Sequence, residues 1–341
     1  MDFNLPLFSL SPFILSFALA YFLVAVSGKV LIQTLQQIGF IQFIREEGPA
    51  SHRSKQSTPT AGGLIFPLTL VIPPILYFLW FVVFEDHLES DFPWNKTILF
   101  PIVVIISAFI GFLDDYLKKV KKQNEGLKPK QKLLGQIILA AILGFSLHRT
   151  ETSIFGLNLE LGLILFLVFV FFVFAGSMNA ANLTDGLDGL ASSVLGWSYL
   201  GLGLLVFLKN GSFYSILCSF SMAGACFGFL WINGHPAKAF MGDSGSFLLG
   251  GGLAAIALIE GLEWYLLILA LIPIWETLSV ILQVASCKLS KKYLGKDIRL
   301  FKMTPFHHHL ELSGWGEKKI VWILASSQFL INLILLIYSL K

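Results

Sequence analysis

Charge is what this sequence has least of. Asp, Glu, Lys and Arg make up 13% of its 341 residues, where a soluble domain carries about 25%. With 55% hydrophobic residues and a mean hydropathy of +0.76, that scarcity excludes an ordinary soluble chain. Cysteine is scarce as well. Cys218, Cys226 and Cys287 form no disulfide framework, and the first two sit in an apolar run as small core residues. Residues 1–10 hold no Lys or Arg, so the basic start of a cleavable signal peptide is missing. The apolar runs lack the period-2 alternation of an outer-membrane barrel. No repeat joins the two halves, which argues against transport built on inverted repeats.

What the sequence does have is apolar runs long enough to cross a hydrocarbon core of about 30 Å. We place ten spans, at 11–33, 63–84, 97–113, 133–147, 161–178, 189–207, 213–232, 245–260, 264–286 and 320–340. The expected fold class is an all-α polytopic membrane protein, with residues 1–341 as one transmembrane domain. The connections after spans 1, 3, 5, 7 and 9 hold 3, 7, 0, 1 and 8 Lys plus Arg, 19 of the 24 in the chain. Positive charge marks the cytoplasmic side, so these loops are expected there and both termini outside.

Asn179–Leu190 is the stretch the chain is organised around. Asn179, Asn182, Thr184, Asp185 and Asp188 stand between two apolar runs, the first without a charge from Leu161 to Ala175. Asp185 and Asp188 are i,i+3, which puts them on one face if they open span 6 as a helix. Capping by Asp185 accounts for some of this polarity but gives Asn179, Asn182, Gly186 and Gly189 no role. Four other loops on the same side carry comparable clusters. The first contains Lys55, Thr58, Thr60 and Gly62-Gly63, a charge, hydroxyls and open backbone suited to an anion.

Span 3 ends in Asp114-Asp115, with lysines at 118, 119, 121, 122, 128, 130 and 132 behind it. Paired carboxylates beside lysines suit a divalent cation and phosphates, or a solvated span boundary. Asn233 to Ser246 carries Phe240 and Asp243, with Gly242, Ser244, Gly245 and Ser246 suited to close approach of a phosphate to backbone N–H groups. Span 9 holds Pro273 and Glu276, so it is expected to kink and to turn its acid inward. The last loop holds His307, His308 and His309, which cannot all face one point on a helix and lack the further ligands of a zinc site.

Together, Ser51–Gly63, Gly111–Lys118, Asn182–Leu190, Asn233–Gly245 and Thr304–His309 resemble the phospho-N-acetylmuramoyl-pentapeptide transferases, within the polyprenyl-phosphate N-acetylhexosamine-1-phosphate transferase superfamily. The five motifs in order are specific where each alone is not. Ala61 and Ser57 depart from the family pattern of Met and Gly.

The resemblance implies transfer of a phospho-sugar from UDP-MurNAc-pentapeptide to undecaprenyl phosphate with Mg2+, at the cytoplasmic face of a bacterial inner membrane. It implies Asp243 as principal metal ligand with Asp114 and Asp115, and either Asp114 as proton acceptor or, in a two-step route through an aspartyl-phosphate, a carboxylate as nucleophile. Lys55, Thr60, Asn182, Asp185, Asp188, Asn233, Phe240, Gln283 and His308 would hold the nucleotide-sugar. His307 would act in catalysis, orienting phosphate with His309, and Lys118, Lys122 and Lys130 would attract the anionic donor. Membrane lipid is the other expected partner and a homodimer is admissible; nucleic acid is not expected. A related GlcNAc-1-phosphate transferase is the alternative enzyme. A transporter is the alternative of another class, disfavoured because the unusual polar residues gather at one membrane face.

Overall fold

The computed structural model describes residues 10–41, 58–83, 94–121, 125–147, 151–154 and 157–340. The described residues are mostly helical: α1 (Ser11–Gln37), a 3-10 segment (Gly62–Val71) continuing into α2 (Ile72–Val83), α3 (Trp94–Lys121), α4 (Pro129–Ser146), α5 (Gly162–Thr184), α6 (Leu190–Leu208), α7 (Phe213–Asn233), α8 (Gly242–Glu260), the short α9 (Leu266–Leu269), α10 (Leu271–Leu294), α11 (Phe306–Glu311) and α12 (Glu317–Ser339). Among the described residues, nine helices are long and apolar enough to cross a membrane. All ten expected spans are present as helical segments. The tenth, α4, has 18 residues and carries Lys130 and Lys132 in its first turn. At 1.5 Å per residue it is about 27 Å long, just short of a bilayer core.

The bundle is built around α8. Of its most apolar stretch 94% is buried, against 22% for α1. Three consecutive glycines make that position attainable. A side-chain carbon at Gly250 would meet the Ser177 carbonyl of α5 at 2.5 Å, at Gly251 the Ser107 hydroxyl of α3 at 2.5 Å, and at Gly252 the Tyr199 hydroxyl of α6 at 2.6 Å. Three neighbouring helices thus close onto one face-less rod. Tyr199 Oη and Ser177 Oγ donate in turn to the α8 carbonyls of Leu249 (2.7 Å) and Gly250 (2.8 Å).

Prolines explain two departures from regular α-helix. Pro67 lies inside the 3-10 segment, and Pro73 and Pro74 follow at the start of α2. Each removes an N–H from the ladder. The expected kink at Pro273 is instead a full break: α9 ends at Leu269 and α10 starts at Leu271. Gln328 on α12 spans it, accepting from the Ile272 N–H (3.0 Å) and donating to the Leu269 carbonyl (3.0 Å). The expected span 264–286 is thereby shifted to 271–294. A two-stranded hairpin, β1 (Glu151–Ile154) with β2 (Leu157–Glu160), joins α4 to α5 where the sequence reading had only a connection.

Candidate active site

α3 runs past its apolar stretch, and the extension carries Asp114, Asp115 and Lys118 on the same buried face as Ser107, Ala108 and Gly111. Gly111 lets α3 lie directly on α8, since a side chain there would overlap the Asp243 carbonyl group. Asp115 then accepts hydrogen bonds from the backbone N–H groups of Asp243 (3.2 Å) and Ser244 (3.0 Å). These are among the four N–H groups that any helix start leaves without a partner, and a carboxylate there also complements the helix dipole. The expectation that this glycine-rich turn leaves those N–H groups open to a phosphate is therefore corrected for these two.

Asp243 faces inward from the first turn of α8. Its Oδ1 accepts from Asn182 Nδ2 (2.9 Å) on α5, and its Oδ2 lies 2.6 Å from Lys132 Nζ on α4. Lys132 also reaches Asp114 Oδ1 at 3.1 Å. Lys118 lies 2.6 Å from Asp114 Oδ2 and 3.3 Å from Asp243 Oδ1. The Leu127 N–H fixes Asp114 from the following loop (2.7 Å). One oxygen each of Asp114, Asp115 and Asp243 lie within 4.8 Å of one another, a grouping that could hold a metal ion. Carboxylate oxygens are the donors that hard divalent cations take, and two lysine ammonium groups already lie among them.

Lys132 and Ser246, which accepts from Asn182 Nδ2 at 3.0 Å, stand in the sequence motifs but had no assigned role in the site. Lys132 could have been found by periodicity. Gln136, Leu139, Ala140 and Leu143 form the buried stripe of α4, and Lys132 is one turn before Gln136 on that stripe. Lys130 is on the other side, exposed. Lys55 and Lys122 lie outside the described residues.

The Asn179–Leu190 stretch differs from its expected form. Asp185 ends α5 rather than opening α6, and α6 begins only after Gly189, whose φ of +78° breaks the path between the two helices. Asp185 and Asp188 are consequently not on one helical face. Asp185 is held near neutrality, its carboxyl pushed up to about 7 by burial and then by the negative charge of Asp243 and Asp115, against a backbone hydrogen bond from Gly242. Asp188 turns elsewhere. Its Oδ2 lies 3.1 Å from His235 Nδ1 and accepts from the Ala237 N–H (3.0 Å), while Glu317 Oε2 lies 3.2 Å from the same His235 nitrogen. These three form a second group able to hold a metal ion; His235 and Glu317 had no recognisable pattern in the sequence.

Asn233 is buried and satisfied by its own protein. Its Oδ1 accepts from the Gly189 N–H (3.0 Å) and Ser192 Oγ (3.1 Å), and its Nδ2 donates to the Ala239 carbonyl (3.1 Å). Gln283 likewise grips the backbone of Leu300 and Phe301, with bonds of 3.0 Å.

The first and fourth loops are joined. The Phe240 N–H donates to the Pro59 carbonyl (2.8 Å), and the Gly62 and Gly63 N–H groups donate to the carbonyls of Phe240 (2.8 Å) and Met241 (2.9 Å). Thr60 is buried beside this seam and Phe240 half-buried on it. The three histidines of α11 point three ways, as their spacing requires. His307 is fully buried against Glu276, with Nδ1 at 3.1 Å from Oε2. His308 Nδ1 lies 2.8 Å from Glu311 Oε2, and His309 Nδ1 accepts from the Lys302 N–H (3.1 Å). Together, these contacts put the ends of α3, α5 and α7, the starts of α4, α6, α8 and α12, and α11 at one end of the bundle.

Residues 97–261 match the glycosyl transferase family 4 model. Over 302 residues the chain is 43% identical to a phospho-N-acetylmuramoyl-pentapeptide-transferase of Staphylococcus epidermidis, covering 86% of this chain and 89% of that protein. It is 42% identical over 301 residues to the protein of that name from Bacillus subtilis, covering 86% and 87%. With the one from Desulforamulus reducens the identity is 38% over 332 residues, covering 94% and 93%.

Proposed function

Because the chain belongs to the phospho-N-acetylmuramoyl-pentapeptide-transferase family, we propose that it moves phospho-MurNAc-pentapeptide from UDP-MurNAc-pentapeptide to undecaprenyl phosphate. An oxygen of the lipid phosphate attacks the sugar-bearing phosphorus of the donor. The phosphorus–oxygen bond to UMP breaks, UMP leaves, and lipid I remains in the membrane. The site faces the cytoplasm of a bacterial inner membrane, where a charged nucleotide-sugar arrives by diffusion and the acceptor keeps its chain in the bilayer.

The observation that carries this reading is the cluster of Asp114, Asp115 and Asp243 with Lys118 and Lys132 at a helix-bundle end. Such a reaction needs positioned charge more than covalent chemistry. The three carboxylates fit Mg2+, which when bound neutralises phosphate charge. Lys118 and Lys132 offer N–H donors to the donor's phosphates. Asn182 orients Asp243. Asp114, held by Leu127, takes the acceptor's proton where one is present. Thr60, Asp185, Phe240 and His308 line the path of the nucleotide-sugar, to which Lys55 would add a positive charge. Asp188, Asn233 and Gln283 act by pinning the loops that carry the others.

The test is UMP release by purified protein in detergent, with Mg2+, donor and lipid acceptor each omitted in turn. Release that needs all three supports the reading, and lipid product from UDP-GlcNAc in place of the MurNAc donor would transfer it to the related enzyme. Asp114→Asn, Asp115→Asn and Asp243→Asn are each expected to abolish transfer while the protein still inserts. Near wild-type turnover in any one removes that residue from the chemical step.

A further inference from the structure

α10 outruns the bundle it belongs to. It begins halfway along α12, where Gln328 accepts from the Ile272 N–H (3.0 Å). One turn on, Glu276 already meets His307 of α11 at the site end. Residues 277–294 continue from there for about 27 Å, and only 28% of the helix's most apolar stretch is buried. One stripe of this extension is covered by the chain's own return. Gln283 Oε1 accepts from the Leu300 N–H (3.0 Å), Ser286 Oγ donates to the Ile298 carbonyl (2.9 Å), and Ser290 Oγ accepts from the Ile298 N–H (3.0 Å). The turn that sends the chain back is at Gly295, with a φ of +65°.

The rest of the extension is exposed. Leu278, Leu282, Leu289 and Tyr293 recur at helical spacing down one side. Lys288, Lys291 and Lys292 lie round the helix from that stripe, and Lys296 and Arg299 follow on the returning segment, all of them exposed. From residue 277 to 301 these five cations face a single acid, Asp297. An apolar stripe with a basic flank is the composition of a helix that lies in a membrane surface, its leucines at the acyl boundary and its lysines among the headgroups. Neutral lipid would cover the stripe alone. The excess of positive charge calls for negative headgroups.

We propose that residues 278–299 form a paddle that lies on the bilayer and holds anionic phospholipid. The stripe from Leu278 to Tyr293 enters the acyl boundary, and the four lysines with Arg299 take the headgroup phosphates. Basic clusters of this size beside a membrane-crossing helix attract such lipids, each charge adding about fivefold in affinity. The assignment does not depend on the transferase reading. It touches the site at one point: Gln283 also holds Phe301 at both its N–H and its carbonyl (3.0 Å each), so the docked paddle steadies the chain that enters α11.

The experiment is hydrogen–deuterium exchange of the full chain in nanodiscs of phosphatidylglycerol and of phosphatidylcholine, read in peptides over 284–301. In phosphatidylglycerol at low salt, exchange there should be slower by about fivefold or more, the contribution of at least one charge at an anionic surface. High salt should remove most of the difference, and peptides from α8 should show none. Lys288→Gln, Lys291→Gln, Lys292→Gln, Lys296→Gln and Arg299→Gln combined should exchange alike in the two lipids. Those side chains are all exposed, and unchanged α8 peptides would show that the variant is folded. Equal exchange of the wild type in both lipids would overturn the proposal and leave the basic flank to an acidic protein. A lipid difference that survives in the combined variant would overturn it too. No reading here needs transfer, so an inactive wild type would sink the transferase reading and leave this test intact.

Discussion

Two lysines two positions apart on α4 meet different fates. Lys132 bridges Asp114 and Asp243, while Lys130 is exposed. Lys132→Met should therefore lower turnover on the order of 10²-fold, the usual loss when one donor to developing charge is removed. Lys130→Met should change only KM for the donor, and only at low ionic strength where long-range attraction operates. Steady-state UMP release at two salt concentrations checks both. Asp185 has a different signature. Its folded-state value of about 7 lies above its ordinary 3.8, so between these pH values the folded protein keeps a proton that the unfolded chain has released. The stability this group contributes is full below about pH 4 and declines as pH rises through about 7. Asp185→Asn should lose less thermal stability than wild type between pH 5 and pH 8, read as the difference in Tm.

At the scale of elements, helices were legible and their ends were not. Apolar runs located every span, because in a bilayer only helices satisfy the backbone. Helices α3 and α5 continue past their apolar stretches to Lys121 and Thr184, and hydropathy has no power over such polar extensions. The break before α10 was also hidden, since Pro273 is compatible with a kink or a start, and the deciding group is Gln328, far away in sequence. Gln328→Leu should leave the Ile272 N–H unpaired in an apolar interior and reduce stability by about 1–3 kcal/mol, measured by thermal unfolding in detergent. The glycine triplet of α8 gives the complementary case. Gly250→Leu would force a side chain onto the α5 backbone at Ser177, and overpacking of this kind typically removes about 1–3 kcal/mol or more. A lower yield of folded protein and a lower Tm are expected, with no selective effect on KM.

For the molecule as a whole, the convergence of five loops was legible because all five motifs fell between spans of the same parity. Their internal pairing was not. The Asp188, His235 and Glu317 grouping joins two loops and the start of α12, and nothing in local spacing foretells it. Side of the membrane follows from counting. If α4 crosses, ten crossings return both ends of the chain to one side, and the proposed cytoplasmic placement of the lysine-rich loops would put that side outside. Alkaline phosphatase fused after Lys341 should then be active and a fluorescent protein fused there dark. The reverse would show that α4 lies along the interface.

The two ammonium groups among the three aspartates have a thermodynamic consequence. If the site takes Mg2+ as proposed, the incoming cation would exchange with Lys118 and Lys132, which already neutralise the carboxylates. Those lysines are released only if something else accepts them, and the donor's phosphates are suited to do so. Cation and nucleotide-sugar should bind with positive cooperativity, each raising the other's affinity by the same factor as linkage demands. Calorimetric titration of Mg2+ with and without UDP-MurNAc-pentapeptide, the lipid acceptor being absent, should show a tighter midpoint in its presence. Lys132→Met should weaken that coupling while strengthening the binding of Mg2+ alone.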